Sequence, residues 1–229
     1  MKKAIFFAVS VITLFLLSYM AIAVPSGAGV SVLSSERWSN TTAGSYGGQG
    51  GNVTNTTLSG ATQTNAWAGF FGEVTGGITL NDAGADIFYD WAVASITGEV
   101  YATRASSPSW STIVAQNDCT TDSLFTGSGA DNTTNTFVAS NNSAVTVGTT
   151  VIAAGTSCAL PNGTYVNGAE PTSPVFEEIL LSDGTNPIYV AKINADQTGY
   201  DGATHDYQMI VPDNYTSNIL TYYFFIELG

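Results

Sequence analysis

Beyond residue 23, no stretch longer than about 10 residues repeats apolar side chains at i, i+3, i+4 and i+7, the spacing an amphipathic helix needs. Short apolar or alternating runs bounded by Gly, Asn, Asp and Pro take their place. Glu73 to Leu80, Ile87 to Val93 and Glu99 to Thr103 follow one another at meander spacing. Further runs lie at Ala144–Val147, Val151–Ala153, Pro174–Leu181, Ile188–Ile193, Tyr207–Val211 and Leu220–Leu228. Eight or more such segments predict an all-β fold, an antiparallel β-sandwich of Greek-key, immunoglobulin-like or jelly-roll-like design. The last run is apolar on both faces, so it is expected at the centre of a sheet or under cover.

The start of the chain has a separate logic. Lys2 and Lys3 precede an almost wholly apolar run from Ala4 to Ala23, which closes on Ala21-Ile22-Ala23. This is the pattern of a secretory signal peptide over residues 1–23. An uncleaved anchor and a pilin-type leader that keeps its apolar helix are the alternatives. Against the latter stand Pro25, Gly27 and Gly29, which stop a helix at once. Residues 24–65 then read as a strand-like tail (Val30, Val32, Leu33) on a glycine lead, followed by a Ser/Thr/Asn/Gly-rich loop. Residues 66–229 read as the sandwich domain.

Charge excludes whole classes of partner. The chain has 5 basic and 18 acidic residues; removing residues 1–23 takes away Lys2 and Lys3 and no acid, for a formal charge of −15. Nucleic acid and anionic membrane both need clustered Lys and Arg. After signal cleavage neither is an expected partner. Cys119 and Cys158, an even pair in an exported chain, are expected to form a disulfide. Asn-x-Ser/Thr triplets start at Asn40, Asn52, Asn55, Asn132, Asn141, Asn162 and Asn214, all in loops or turns. They are glycosylation sites where the host has the machinery, and turn residues otherwise.

Catalytic and metal chemistry find little footing. His205 is the one histidine, which removes any site built on several. No Gly-x-Ser-x-Gly elbow presents a serine. Glu177 and Glu178 are adjacent, so on a strand they face opposite ways. Asp86 and Asp90 share a face, but acids on strand surfaces are ordinarily solvated. Asn194, Asp196 and Thr198, with Gly199 and then Asp201, match the front half of a calcium loop. A turn rich in Asp and Gly explains the same residues. No cofactor is expected beyond that one calcium, and no enzyme activity. Trp67, Trp91 and Trp110 are expected in the core.

The signal, the lysine-poor Ser/Thr/Asn/Gly-rich β domain, the sequons and the strand-like N-terminal tail together resemble secreted archaeal filament subunits, the threads and bundling pili joined by donor strands. The resemblance spans the mature chain. It implies an extracellular homopolymer at the cell surface, with Val30, Val32 and Leu33 as the donor strand that pairs with an open edge of the next subunit. The tail as first strand of its own sandwich is the alternative. A secreted carbohydrate-binding module or glycan-active enzyme is the alternative function, and a type IV pilin-like protein a further one.

Overall fold

The computed structural model describes residues 24–39, 42–91, 96–213 and 219–229. The expected signal at residues 1–23 and the sequons at Asn40 and Asn214 lie outside them. Along the described chain run β1 (Ser26–Gly27), β2 (Trp67–Gly72), β3 (Ile78–Asn81), β4 (Ile87–Trp91), β5 (Gly98–Thr103), β6 (Val114–Ala115), β7 (Val145–Val147) and β8 (Thr150–Ile152). There follow β9 (Glu178–Ser182), β10 (Pro187–Lys192), β11 (Gln197–Thr198), β12 (Thr204–His205), β13 (Tyr207–Pro212) and β14 (Tyr223–Leu228). Two single-turn helices, α1 (Ser123–Thr126) and α2 (Thr133–Thr136), interrupt the loop-rich middle. The fold is an all-β antiparallel sandwich.

Its centre is a six-stranded sheet in the order β1-β14-β5-β10-β9-β6. Tyr101 of β5 stands opposite Phe225 on one side and Val190 on the other. Alternation then separates two cores. Val100, Ala102, Leu180, Tyr189 and Ala191 pack with Phe224 and Ile226 against Met209 and Val211 of the two-stranded sheet β13-β2. Tyr101, Ile179, Leu181, Ile188 and Val190 pack on the opposite face against Val145, Val147 and Ile152 of the hairpin β7-β8. Trp110 closes this second core, with edge contacts to Tyr101 (5.2 Å) and Phe225 (5.1 Å). Because the sheet is buried on both faces, β9 and β10 read as unbroken apolar runs rather than alternating ones. Each such side chain contributes about 1.5–3 kcal/mol.

Two devices tie the loop-rich middle to this sheet. Cys119 and Cys158 form the expected disulfide across 39 residues. The chain from Cys158 to Leu160 adds to the outer edge of β9, with Leu180 N–H donating to Cys158 (2.8 Å) and Leu160 N–H to Glu178 (3.0 Å). Nearby, Arg104 grips the buried Asp122 through both nitrogens (2.6 and 3.1 Å). Tyr189 donates to the same carboxylate, and the guanidinium lies 4.3 Å over the Phe125 ring. Desolvation acts against the Arg104 charge, but the Asp122 bonds outweigh it and hold its pKa above the ordinary value. Gly98 opens β5 at φ +120°, where a Cβ would lie 2.0 Å from the Glu227 carbonyl oxygen.

Of the expected three-strand meander only the hairpin β3-β4 forms. β2 pairs with β13, β5 pairs with β10 and β14, and β3 and β4 pair only with each other among the described residues. Tertiary pairing overrides sequence adjacency here because β5 buries both its faces, which a neighbouring hairpin could not provide. Trp67 and Trp110 pack on the cores as expected. Trp91 is a correction: it stays exposed on β4, beyond both cores.

Replacing Cys119 and Cys158 together by Ser is expected to lower stability by about 4 kcal/mol through the freed 39-residue loop. Arg104→Ala, which strands the buried Asp122, is expected to cost about 3 kcal/mol. Urea denaturation followed by circular dichroism checks both.

Candidate assembly surface

The tail meets the domain at one place. Pro25 is buried, and Ser26 and Gly27 pair with Ile226 and Phe225 on the outer edge of β14. Ala28 N–H then donates to the Phe224 carbonyl (3.0 Å). The outer edge of the last strand is therefore paired, but only along three residues. The paired piece lies ahead of Val30, Val32 and Leu33, which belong to no strand of this chain. All three are exposed, Leu33 at 96 %. Polar, glycine-rich sequence follows to Asn65, whose side chain accepts a hydrogen bond from Arg37. Ala66, just before β2, is buried.

The second sheet leaves one edge free. Asp213 N–H donates to the Ala66 carbonyl (2.8 Å), so the polar backbone groups of Ala68, Phe70 and Gly72 turn toward β13 by alternation. Those of Trp67, Gly69 and Phe71 turn the other way, where no strand pairs with them among the described residues. The far edge of β13 is closed by contrast. Glu178 reaches across the core so that its Oε2 accepts from Ile210 N–H (2.9 Å), and Pro212 has no N–H to offer. Beside the free edge, Phe224, Ile226 and Leu228 are only half-buried on the core face of β14. Phe70 meets Phe224 edge-on at 5.0 Å. An unpaired strand edge thus adjoins an incompletely covered apolar shelf.

The ionisable groups sort by surroundings. Glu178 is fully buried, its Oε1 has no hydrogen-bond partner, and burial pushes its pKa well above the ordinary carboxyl value. Its neighbour Glu177 points outward, as adjacency on a strand requires, and meets Lys192 at 3.1 Å. Glu99 and Glu227 stand directly opposite each other on β5 and β14. Tyr101 Oη and Gly148 N–H donate to Glu227 (both 2.9 Å). Burial first, and the Glu227 charge second, raise Glu99 to about 7. This pair was not singled out from sequence, because only the strand register brings position 99 to position 227.

The residues of the calcium-loop expectation have separate partners in the fold. Asn194 donates its amide to the Val175 carbonyl (2.8 Å), and Thr198 pairs with Thr204 in the hairpin β11-β12. Asp201 accepts from Ala203 N–H (3.0 Å) and lies 3.0 Å from His205 Nε2. The turn that follows runs through Gly202 at φ +82°. Asp196 alone joins an acidic group, with oxygens of Glu73, Asp196 and Asp206 within 4.8 Å of one another. These three can approach a cation, but Asp206 already accepts from Val74 N–H (2.7 Å) and Asp196 N–H (2.9 Å). Desolvation, then Asp206, raise the pKa of Glu73.

Among the sequons, Asn52, Asn55 and Asn141 are exposed. Asn132 caps α2 through its side-chain oxygen on Asn135 N–H (2.9 Å), and Asn162 donates to Glu170 (2.8 Å).

Set against family models, curated proteins and solved structures, the chain matches none.

Glu99 generates a pH dependence with a definite sign. Its folded pKa lies above the unfolded one, so its contribution is complete below the ordinary value of 4.5 and is lost as pH rises through about 7. The buried Glu178 adds a slope of the same sign. Urea midpoints are expected to fall between these pH values in the parent protein and to fall less steeply in Glu99→Gln.

Proposed function

We propose that this chain is a secreted structural protein, the subunit of an extracellular filament or pilus assembled by donation of the N-terminal strand. One pairing of features carries the reading: an exposed apolar tail and, on the same molecule, an unpaired β2 edge beside a half-covered apolar shelf. A tail from a neighbouring subunit, added along Trp67, Gly69 and Phe71, pairs their backbone groups as an extra strand. Val30 and Val32, two residues apart, then point the same way, toward Phe224 and Ile226. Donor and acceptor lie on different parts of one chain, so the contact does not close on itself and grows a fibre. The disulfide fits an oxidising, extracytoplasmic setting. No described helix is long and apolar enough to cross a membrane. Glycans at Asn52, Asn55 and Asn141 would project from exposed positions.

A secreted sugar-binding module is the competing reading, and one observation favours it. Exposed Phe71 and Tyr200 border a cavity of about 300 Å³ with Thr164 and Gln208. Two aromatic rings beside polar groups are a surface on which a sugar can stack.

Negative-stain electron microscopy of the exported protein, with mass spectrometry of its N-terminus, separates the two. Filaments are expected from the parent, and Val32→Asp with Leu33→Asp is expected to leave compact subunits of unchanged thermal midpoint. Filaments undiminished by that double substitution would remove the tail as donor. A parent that binds glycans and never polymerises would establish the sugar-binding reading.

A further inference from the structure

Among the described residues, the ribbon formed by β3 and β4 carries an apolar face that lies outside both cores. Each of its nine residues is exposed. Yet its sequence alternates as a half-buried sheet does. The register sets Ile78 opposite Trp91 and Leu80 opposite Tyr89 on one face, with Thr79 opposite Asp90 on the other. Tyr89 and Trp91 meet edge-on at 4.9 Å, forming one continuous aromatic surface. The tip is well built. Asp82 N–H donates to the Asp86 carbonyl (3.0 Å) and Ala85 N–H to the Asp82 carbonyl (3.1 Å). Asp82 Oδ1 also accepts from Gly84 and Asp86 N–H (2.8 and 2.9 Å). A two-stranded ribbon is marginal in water unless its apolar face is covered.

We infer that this face is an interface between two copies of the chain, ribbon against ribbon. The first argument is area. Ile78, Leu80, Tyr89 and Trp91 are each between 49 % and 62 % exposed. With aromatic side chains of about 150–250 Å², these four present on the order of 500 Å². Buried from both copies, that makes about 1,000 Å² in total, the size at which a specific interface begins. The second argument is charge. Copies that each carry a formal charge of −15 after loss of residues 1–23 repel over most of their surface. The four paired side chains carry no charge, while Asp90 lies on the opposite face and Asp82 and Asp86 lie at the turn. Two copies therefore meet through this face without setting acid against acid. The same three acids oppose an anionic bilayer as the covering surface. A patch that pairs with itself under two-fold symmetry closes at two copies. The contact is thus lateral, and it is independent of strand donation by the tail.

Sedimentation velocity of the full chain and of Leu80→Asp with Tyr89→Asp tests it, with Thr79→Asp on the opposite face as control. The double variant is expected to raise the dissociation constant of the pair by about tenfold or more, and the control to leave it unchanged. The thermal midpoint should hold in both, because the ribbon lies outside the cores. Leu80→Cys is expected to cross-link two chains on oxidation, and Thr79→Cys is not. Deleting residues 24–35, which removes strand donation, should leave this pairing intact. An unchanged mass distribution in the double variant overturns the inference. So does loss of pairing on tail deletion, which would make the tail the cover, or ribbon-dependent binding to vesicles of anionic lipid.

Discussion

Burial of one sheet on both faces is the constraint on which the rest of the molecule depends. A single antiparallel sheet ordinarily keeps one wet face, and here neither face of β5, β9 or β10 is spared. Two covering layers are therefore needed, and the chain supplies each from only two strands: β2 and β13 on one side, β7 and β8 on the other. The thinness of those layers explains the accessory ties. The disulfide fastens the long middle loop to β9. Arg104 holds Asp122 beside the same loop, and Tyr189 reaches that carboxylate from the central sheet, so a polar triad stands where the core would otherwise end.

The second consequence is an unequal treatment of strand edges. An exposed edge invites pairing with another chain, and sheets normally blunt it. Three devices do so here. Glu178 occupies the Ile210 N–H, Pro212 has none, and the tail covers part of β14. Among the described residues, the outer edge of β2 has no such device. That contrast within one molecule is the observation on which the proposed strand addition rests.

Electrostatics follow the same economy of charge. Of the three basic residues beyond residue 23, Arg104 bonds Asp122, Lys192 lies against Glu177, and Arg37 donates to Asn65. Each is engaged inside the molecule, so the outer surface is governed by acids. Where two acids meet on neighbouring strands, as Glu99 and Glu227 do, the fold favours the protonated form of one.

Much of this was legible in the residues. Period-two runs and the absence of helical spacing specified an all-β antiparallel fold, because alternation reports how a backbone presents its faces. The cysteine pair specified a disulfide, and adjacency sent Glu177 and Glu178 to opposite sides. Partnership was not legible. Ile78, Leu80, Tyr89 and Trp91 alternate like core residues, yet nothing in their order says that the core lies elsewhere. Asn194, Asp196, Thr198 and Asp201 have calcium-loop spacing, yet nothing in that spacing says that Asp196 meets Glu73 and Asp206 while Asp201 meets His205. The sequence by itself determined which backbone geometry each segment adopts, since that depends on neighbours along the chain. Only the tertiary structure decided which edges pair, which acids face each other and which apolar face stays bare, because those depend on contacts between residues distant in the chain.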